Sequence, residues 1–177
     1  MGYKHADPRD DRHPVAYVGM ACEMKFPKIT KKQGDEEGEP RAQYAALPWR
    51  LGERVEILLL TSRDTRRWVI PKGWPMKGRS PHGAAAVEAS EEAGLLGKIE
   101  KKKLGSFHYR KRLKNGAVLL CRVDVFPMRV NRQRKIWQEM HQRVTQWFPL
   151  TTAAEQVVEP ELKELILAFG EMLAKAA

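Results

Sequence analysis

The segment EASEEAG, Glu88 to Gly94, gathers three carboxylates on a short alanine-rich stretch with no lysine or arginine four residues after any of them; those positions hold Glu92, Leu95 and Leu96. On a helix, at about 100° per residue, Glu88, Glu91 and Glu92 fall within an arc of roughly 100°, and Ala86, Ala89 and Ala93 share the other side. In isolation this face is unfavourable. Glu88 and Glu92 are like charges at i and i+4, and all three acids lie toward the negative end of the helix dipole, where a cation is preferred. A merely solvated helix face would interleave lysine or arginine. Carboxylate oxygens on one wall suit a hard divalent cation such as magnesium, and magnesium in turn engages substrate phosphates. The expected chemistry is therefore metal-assisted work on a phosphorylated guest.

The elements that must hold these acids can be read from their neighbours. Ser80 can cap a helix whose first position is Pro81, and Gly94 is a natural left-handed terminator, so a helix is expected over 81–93. Its small face can lie close against a sheet, which aims the acidic face into a cleft or solvent. VAYVGMACEMKF (15–26), VEILLLTS (55–62), WVIP (68–71) and VTQWFPL (144–150) read as strands. KGWPMKGRSP is the loop before the helix. Two further strands, within 99–113 and 117–130, flank a turn at Asn115-Gly116. TTAAEQVV starts a short helix, and Leu162, Leu165, Ile166, Phe169 and Leu173 mark a terminal one. Residues 28–53 mix charge, glycine and proline without periodicity and read as a long loop or insertion, a lid or a contact surface. Residues 1–13 read as a flexible arm before a single domain over 14–177. The fold class is α/β or α+β with a mixed sheet.

Composition narrows the function. The 177 residues suit one domain, 42% hydrophobic content is that of a folded chain, and no apolar run approaches the roughly 18 residues that span a bilayer. The polar start MGYKHADPRDDRHP lacks the apolar segment of a secretory signal, so a membrane partner is not expected and the cytoplasm is the expected compartment. Cys22 and Cys121 each lie in an apolar segment and read as reduced core residues. A formal charge of +10, from 32 Lys+Arg against 22 Asp+Glu, favours polyanions, phosphates first.

With its preceding loop, the acidic helix reads GWPMKGRSPHGAAAVEASEEAGL, Gly73 to Leu95, and this stretch resembles the signature of the Nudix hydrolases. That signature runs Gly, five residues, Glu, seven residues, Arg-Glu-apolar-any-Glu-Glu-any-Gly-apolar. Gly73, Glu88, Ala89, Glu91, Glu92, Gly94 and Leu95 fall in register. Arg79 stands at the first Glu and Val87 at the Arg, two positions that the resemblance implies support each other across loop and helix, so the departure bears on the rigidity of the loop. LLLTSRDTRRWVIPKG, GSFHYRKRLKNGAVLLCRVDVF and WQEMHQRVTQWFPLTTAAE extend the likeness to the diphosphoinositol polyphosphate phosphohydrolase branch, including its bacterial members. The resemblance implies an α/β/α sandwich with a mixed sheet and a loop-helix-loop catalytic motif. It implies Glu88 and Glu92 as metal ligands and Glu91 as general base or further ligand, with backbone oxygens near Lys72 and Gly73 completing the shell. Magnesium, or manganese in its place, is the implied cofactor. Glu139, in WQEM, is a secondary candidate acid whose simpler reading is a surface loop residue.

The cations cluster around this motif. Arg63, Arg66 and Arg67 precede a short strand, Lys72, Lys77 and Arg79 lie in the loop, and Arg110, Lys111, Arg112 and Lys114 surround the hairpin turn. The branch resemblance implies that Ser62, Arg63, Arg112, Lys114 and Arg143 contact substrate phosphates, and Arg67 joins them by position. Trp68, Trp147 and Phe148 read as core; Trp74 and Trp137 read as core or lid packing in preference to base stacking. The expected function is a pyrophosphohydrolase of highly phosphorylated small molecules, diphosphoinositol polyphosphates or dinucleoside polyphosphates, in a monomer or homodimer. The alternatives are a nucleotide-sugar or RNA 5′-end hydrolase, with nucleic acid as the second-ranked partner, and a Nudix-fold binding module without turnover.

Overall fold

The computed structural model describes residues 39–113 and 115–176. The expected arm over 1–13, the strand over 15–26 with Cys22, and Lys114 lie outside the described residues. Among the described residues eight strands form one mixed sheet: β1 (Arg41–Leu51), β2 (Val55–Thr61), β3 (Trp68–Val69), β4 (Lys72–Gly73), β5 (Leu95–Ile99), β6 (Gly105–Arg112), β7 (Val118–Gln133) and β8 (Thr145–Pro149). Three helices accompany it among the described residues: α1 (Pro81–Ala93), α2 (Leu150–Gln156) and α3 (Pro160–Ala176). The main path runs β3-β2-β1-β7-β5, with β4 beside β1, β6 beside β7 and β8 beside β2. The β1–β7 pair is parallel and the other pairs are antiparallel.

The two-residue period of β2 builds both cores. Ile57 and Leu59 enter the cluster packed with Leu162, Leu165, Ile166 and Phe169 of α3. Leu58 and Leu60 point the other way, to Ala85, Ala89 and Ala93 of α1. β1 alternates likewise, Ala45 and Leu47 toward α3 and Ala46 toward α1. A sheet covered on both faces must be apolar on both, which is why VEILLLT reads as a nearly continuous hydrophobic run. Each fully buried Leu, Ile or Phe here contributes about 1.5–3 kcal/mol.

β1 corrects the reading of 28–53 as loop: residues 41–51 are the strand that carries both β4 and β7. Three alanines and Pro48 give RAQYAALPWRL little intrinsic strand preference. Small residues nonetheless suit a strand enclosed by helices on both sides. Pro48 lies between the β4 pairing, which ends at Ala45, and the β2 pairing, which starts at Trp49. A missing N–H is tolerated at such a break in the ladder.

The ends of α1 follow the expected chemistry. Ser80 Oγ accepts the Gly83 N–H at 3.3 Å, Pro81 opens the helix, and Gly94 closes it at φ 68°. A side chain at Gly94 would also meet the Trp137 ring at 2.8 Å. The small face consists of Ala85, Ala89 and Ala93, with Ala86 only half-buried, a rotation of about one position from the expected stripe. Trp68 packs edge-on to Phe148, and Trp147 is partly buried beneath the Arg50 guanidinium. Cys121 is a buried free thiol.

Candidate active site

Helix α1 crosses strand β4, and its carboxylates meet that strand's backbone. Glu92 Oε2 accepts the Lys72 N–H at 3.0 Å. The Glu88 carboxylate lies directly over Gly73, where an added Cβ would fall 1.8 Å from Glu88 Oε1. Only glycine fits beneath it. The obstructing atom is the end of a side chain, so Gly73→Ala is expected to fold with a near-wild-type melting temperature while displacing Glu88. Its turnover should then fall to a level close to that of Glu88→Gln; retention of most activity would show that the contact with Gly73 does not position the carboxylate.

Glu88 and Glu92 line a cleft of about 720 Å³ that also holds Ser62, Arg63, Arg67, Lys111, Arg112 and Arg143. Glu139 lines it as well, so the reading of this residue as a surface loop acid is corrected. Its side chain is 16% exposed and joins two arginines: Oε2 accepts from Arg143 Nε at 2.6 Å and Oε1 from Arg63 Nη1 at 3.4 Å. Arg143 also donates from Nη2 to Glu92 Oε1 and from Nη1 to the Thr61 carbonyl at 3.2 Å. A residue expected to meet substrate phosphate is thus committed to two carboxylates and a carbonyl. Arg67 is committed too, to Glu159 at 3.2 Å. Ser62 shares a 2.6 Å hydrogen bond with Thr65 in the turn ahead of β3.

The electrostatics separate the three acids of the helix. Glu88 is pushed up to about 7, first by burial and then by the charges of Glu92, Glu91 and Glu139; no ion pair neutralises it among the described residues. Burial also raises Glu92, outweighing the pull of Arg143 and Lys72 in the opposite direction. Lys72 is lowered by burial, and its ammonium lies 5.4 Å from the Tyr109 ring centroid. Glu91 does not line the cleft; its carbonyl accepts the Glu139 N–H at 3.1 Å, which ties the loop to the helix. Among the described residues no three His, Cys, Asp or Glu side chains are grouped to hold a metal ion on their own. The turn of the helix brings Glu88 and Glu92 to the cleft wall and leaves Glu91, expected as general base or further ligand, beside it. All-oxygen donors with uncompensated negative charge at Glu88 still suit a hard cation, which commonly takes one or two carboxylates and completes its shell with water and phosphate oxygens.

Sequence reasoning did not single out Gln43, Tyr109 or Glu159, which also line the cleft. Tyr109 Oη donates to Gln43 Oε1 at 2.7 Å, joining β6 to β1 across β7, a contact no local pattern announces. Trp74 lies in the cleft with the Lys111 ammonium 4.9 Å and the Arg41 guanidinium 5.4 Å from its ring. Trp137 packs over Gly94 and donates Nε1–H to the Glu92 carbonyl at 3.2 Å.

No protein-family model matches the chain. It is 30% identical over 125 residues to Nudix hydrolase 17, mitochondrial, of Arabidopsis thaliana, covering 71% of this chain and 66% of that one. Against diphosphoinositol polyphosphate phosphohydrolase 3-alpha of Mus musculus it is 32% identical over 137 residues, covering 76% of each. The chain belongs to the Nudix hydrolase family. It spans just under two thirds of the first plant relative's length. Among solved structures, the C. elegans Ap4A hydrolase superposes with a TM-score of 0.58 at 22% identity, covering 76% of this chain and 98% of that one. At that identity the likeness is one of fold, the Nudix α/β/α sandwich with α1 as the helix of its loop-helix-loop motif. Among the described residues no helix is long and apolar enough to cross a membrane.

Proposed function

We propose that this Nudix hydrolase is a magnesium-dependent pyrophosphohydrolase that cleaves a diphosphate linkage in a highly phosphorylated small molecule, a diphosphoinositol polyphosphate or a dinucleoside polyphosphate. The observation that carries this is the Glu88 carboxylate, which lines the cleft, has no ion-pair partner among the described residues and is pushed up to about 7 by burial and then by its acidic neighbours, in a cavity shared with Arg63, Lys111 and Arg112. Glu88 and Glu92 would hold the ion, which offsets phosphate charge and lowers the pKa of bound water when present. Manganese is the alternative ion. The arginines orient the phosphates through bidentate hydrogen bonds. The substrate classes agree with the names of a relative, a diphosphoinositol polyphosphate phosphohydrolase, and of a fold neighbour, an Ap4A hydrolase. Glu91 remains the proposed base, with Glu139, on the cleft wall, next in line. Arg67 and Arg143 act in this reading through the carboxylates they hold. Cytoplasmic work in a monomer or homodimer belongs to the same proposal.

The test is chromatographic measurement of the cleavage products, nucleotides, sugar phosphate or inorganic phosphate, from a panel of diphosphoinositol polyphosphates, dinucleoside polyphosphates, nucleotide sugars and 5′-triphosphorylated RNA, with magnesium and with chelator. Metal-dependent turnover is expected on one of the first two classes. Arg112→Ala, at an exposed cleft residue, should weaken the most phosphorylated substrates first, raising KM about tenfold on the scale of one charged hydrogen bond. No metal-dependent product from any compound would support a binding module, and a preference for RNA would move the substrate to the nucleic-acid alternative.

A further inference from the structure

Helix α1 leaves the carbonyls of its last turn without partners of their own, and each of them is taken up. Ser90 O accepts the Gly94 N–H at 3.0 Å. The others are met by one segment just beyond β7. Glu91 O accepts the Glu139 N–H at 3.1 Å, Glu92 O the Trp137 Nε1–H at 3.2 Å, Ala93 O the Gln133 Nε2–H at 2.9 Å, and Gly94 O the Arg134 N–H at 2.8 Å. Residues 133–139 are thus fastened along the helix end. The segment's far end is fastened to β2 and the turn after it: Val144 N–H bonds Thr61 Oγ1 at 3.0 Å, and Arg66 Nη1 donates to the Gln142 carbonyl at 3.1 Å. Arg66 reaches that carbonyl from a φ of 56°, a backbone conformation that side chains disfavour. Between the two anchors stands Glu139, whose carboxylate holds Arg63 and Arg143 at the cleft wall.

We infer that Trp137 is a positioning residue: seated on the end of α1, it sets where the Glu139 carboxylate stands, and with it the two arginines that this carboxylate holds toward the substrate. The inference deepens the pyrophosphohydrolase reading and rests on it. Trp137 does not line the cleft, so it acts only through its neighbours. Its ring lies on Gly94, where an added Cβ would come within 2.8 Å of it, and its indole N–H holds the main chain of Glu92, the residue whose carboxylate pairs with Arg143. Glu139 follows two residues later, a reach of about 7 Å at most, so a shift of the ring is passed on to the acid. Misplacing a group in a reaction cleft by about 1 Å can cost on the order of a hundredfold in rate.

The experiment is a double-variant cycle on the full chain: wild type, Trp137→Ala, Glu139→Gln and the pair together, with Trp137→Phe as the variant that keeps a ring on Gly94 and loses the donor. kcat and KM are measured with magnesium on the compound of the panel that wild type cleaves best, at a temperature where melts show every variant folded. Amide hydrogen exchange of the Glu139 and Arg134 N–H groups is read by NMR in parallel. Trp137→Ala and Glu139→Gln are each expected to lower kcat/KM by at least about tenfold, and Trp137→Phe by about two- to tenfold, the scale of one neutral hydrogen bond. In the Glu139→Gln background Trp137→Ala should change the rate by less than about twofold, because the two act as one unit. The Glu139 amide should exchange at least about tenfold faster in Trp137→Ala, with the β1 and β7 amides unchanged. Equal losses from Trp137→Ala in both backgrounds would reduce the ring to packing and overturn the inference, as would a wild-type-like rate for Glu139→Gln or unchanged exchange at Glu139. If nothing on the panel is hydrolysed, the pyrophosphohydrolase reading fails. The exchange data and the same cycle in calorimetric binding of methylene-bridged diadenosine tetraphosphate then decide the role of Trp137 separately.

Discussion

Glu88→Gln is expected to lower turnover by at least about a hundredfold and at the same time to make the protein more stable at pH 8 in chelator. The first effect is on the scale of losing a group engaged with proton or metal in the reaction. The second follows from linkage. Glu88 is raised from its usual 4.5 to about 7, so the folded chain binds its proton more readily than the unfolded chain does. The stability it contributes is fully present below about pH 4.5 and is lost as pH rises through about 7; above that the ionised side chain opposes folding. The group is half-buried, and solvent screening reduces the effect to about 1 kcal/mol. Denaturant melts of wild type and variant from pH 4 to 8 should diverge as pH rises. Parallel curves would show that Glu88 titrates as an ordinary carboxylate. Glu91→Gln and Glu139→Gln in the same assay place the base: a wild-type-like rate for Glu91→Gln combined with a hundredfold loss for Glu139→Gln moves that role to the loop.

Arg143→Ala should have the largest effect on stability, about 3–5 kcal/mol, because it strands two carboxylates. The Arg143 and Glu92 side chains are 7% and 9% exposed, and the same guanidinium holds Glu139 and the Thr61 carbonyl. Removing it leaves Glu92 enclosed without its cation and takes away the loop's side-chain bond to the Thr61 carbonyl of β2. Arg143→Lys keeps the charge but not the planar fork that serves three acceptors, so it should lie between. Arg143→Ala combined with Glu92→Gln should recover part of the loss, since a neutral amide tolerates burial better. A loss below about 1 kcal/mol in denaturant melts would mean that water replaces the guanidinium at little cost.

This arginine also bears on the question raised by the acidic helix. Nothing within α1 offsets its carboxylates, yet Glu92 receives its counter-charge from a residue 51 positions later in the chain. Glu88 does not. The fold therefore separates two acids of the helix: Glu92 is paired with Arg143, and Glu88 has no ion-pair partner among the described residues. A sequence pattern of three equivalent glutamates does not distinguish these states, because they depend on which residues the sheet brings to the same place.

What the sequence determined by itself was local or periodic. Ser80, Pro81 and Gly94 bound α1 through capping and backbone preference, Asn115-Gly116 turns the hairpin, and the alternation of Ile57, Leu58, Leu59 and Leu60 requires a strand covered on both faces. The spacing from Gly73 to Leu95 carried the family, since a glycine beneath a carboxylate and acids one helical turn apart are fixed by the chain's own geometry. Only the tertiary structure decided the rest. β1 has weak strand preference and exists through its parallel pairing with β7, about eighty residues away. Other long-range contacts seat Arg143 on Glu92 and on Glu139 in the cleft wall, and tie Glu159 to Arg67 across 92 positions. Those contacts form because sheet register and buried charge leave few other arrangements in which each polar group finds a partner, and neither constraint is visible until the chain has closed on itself.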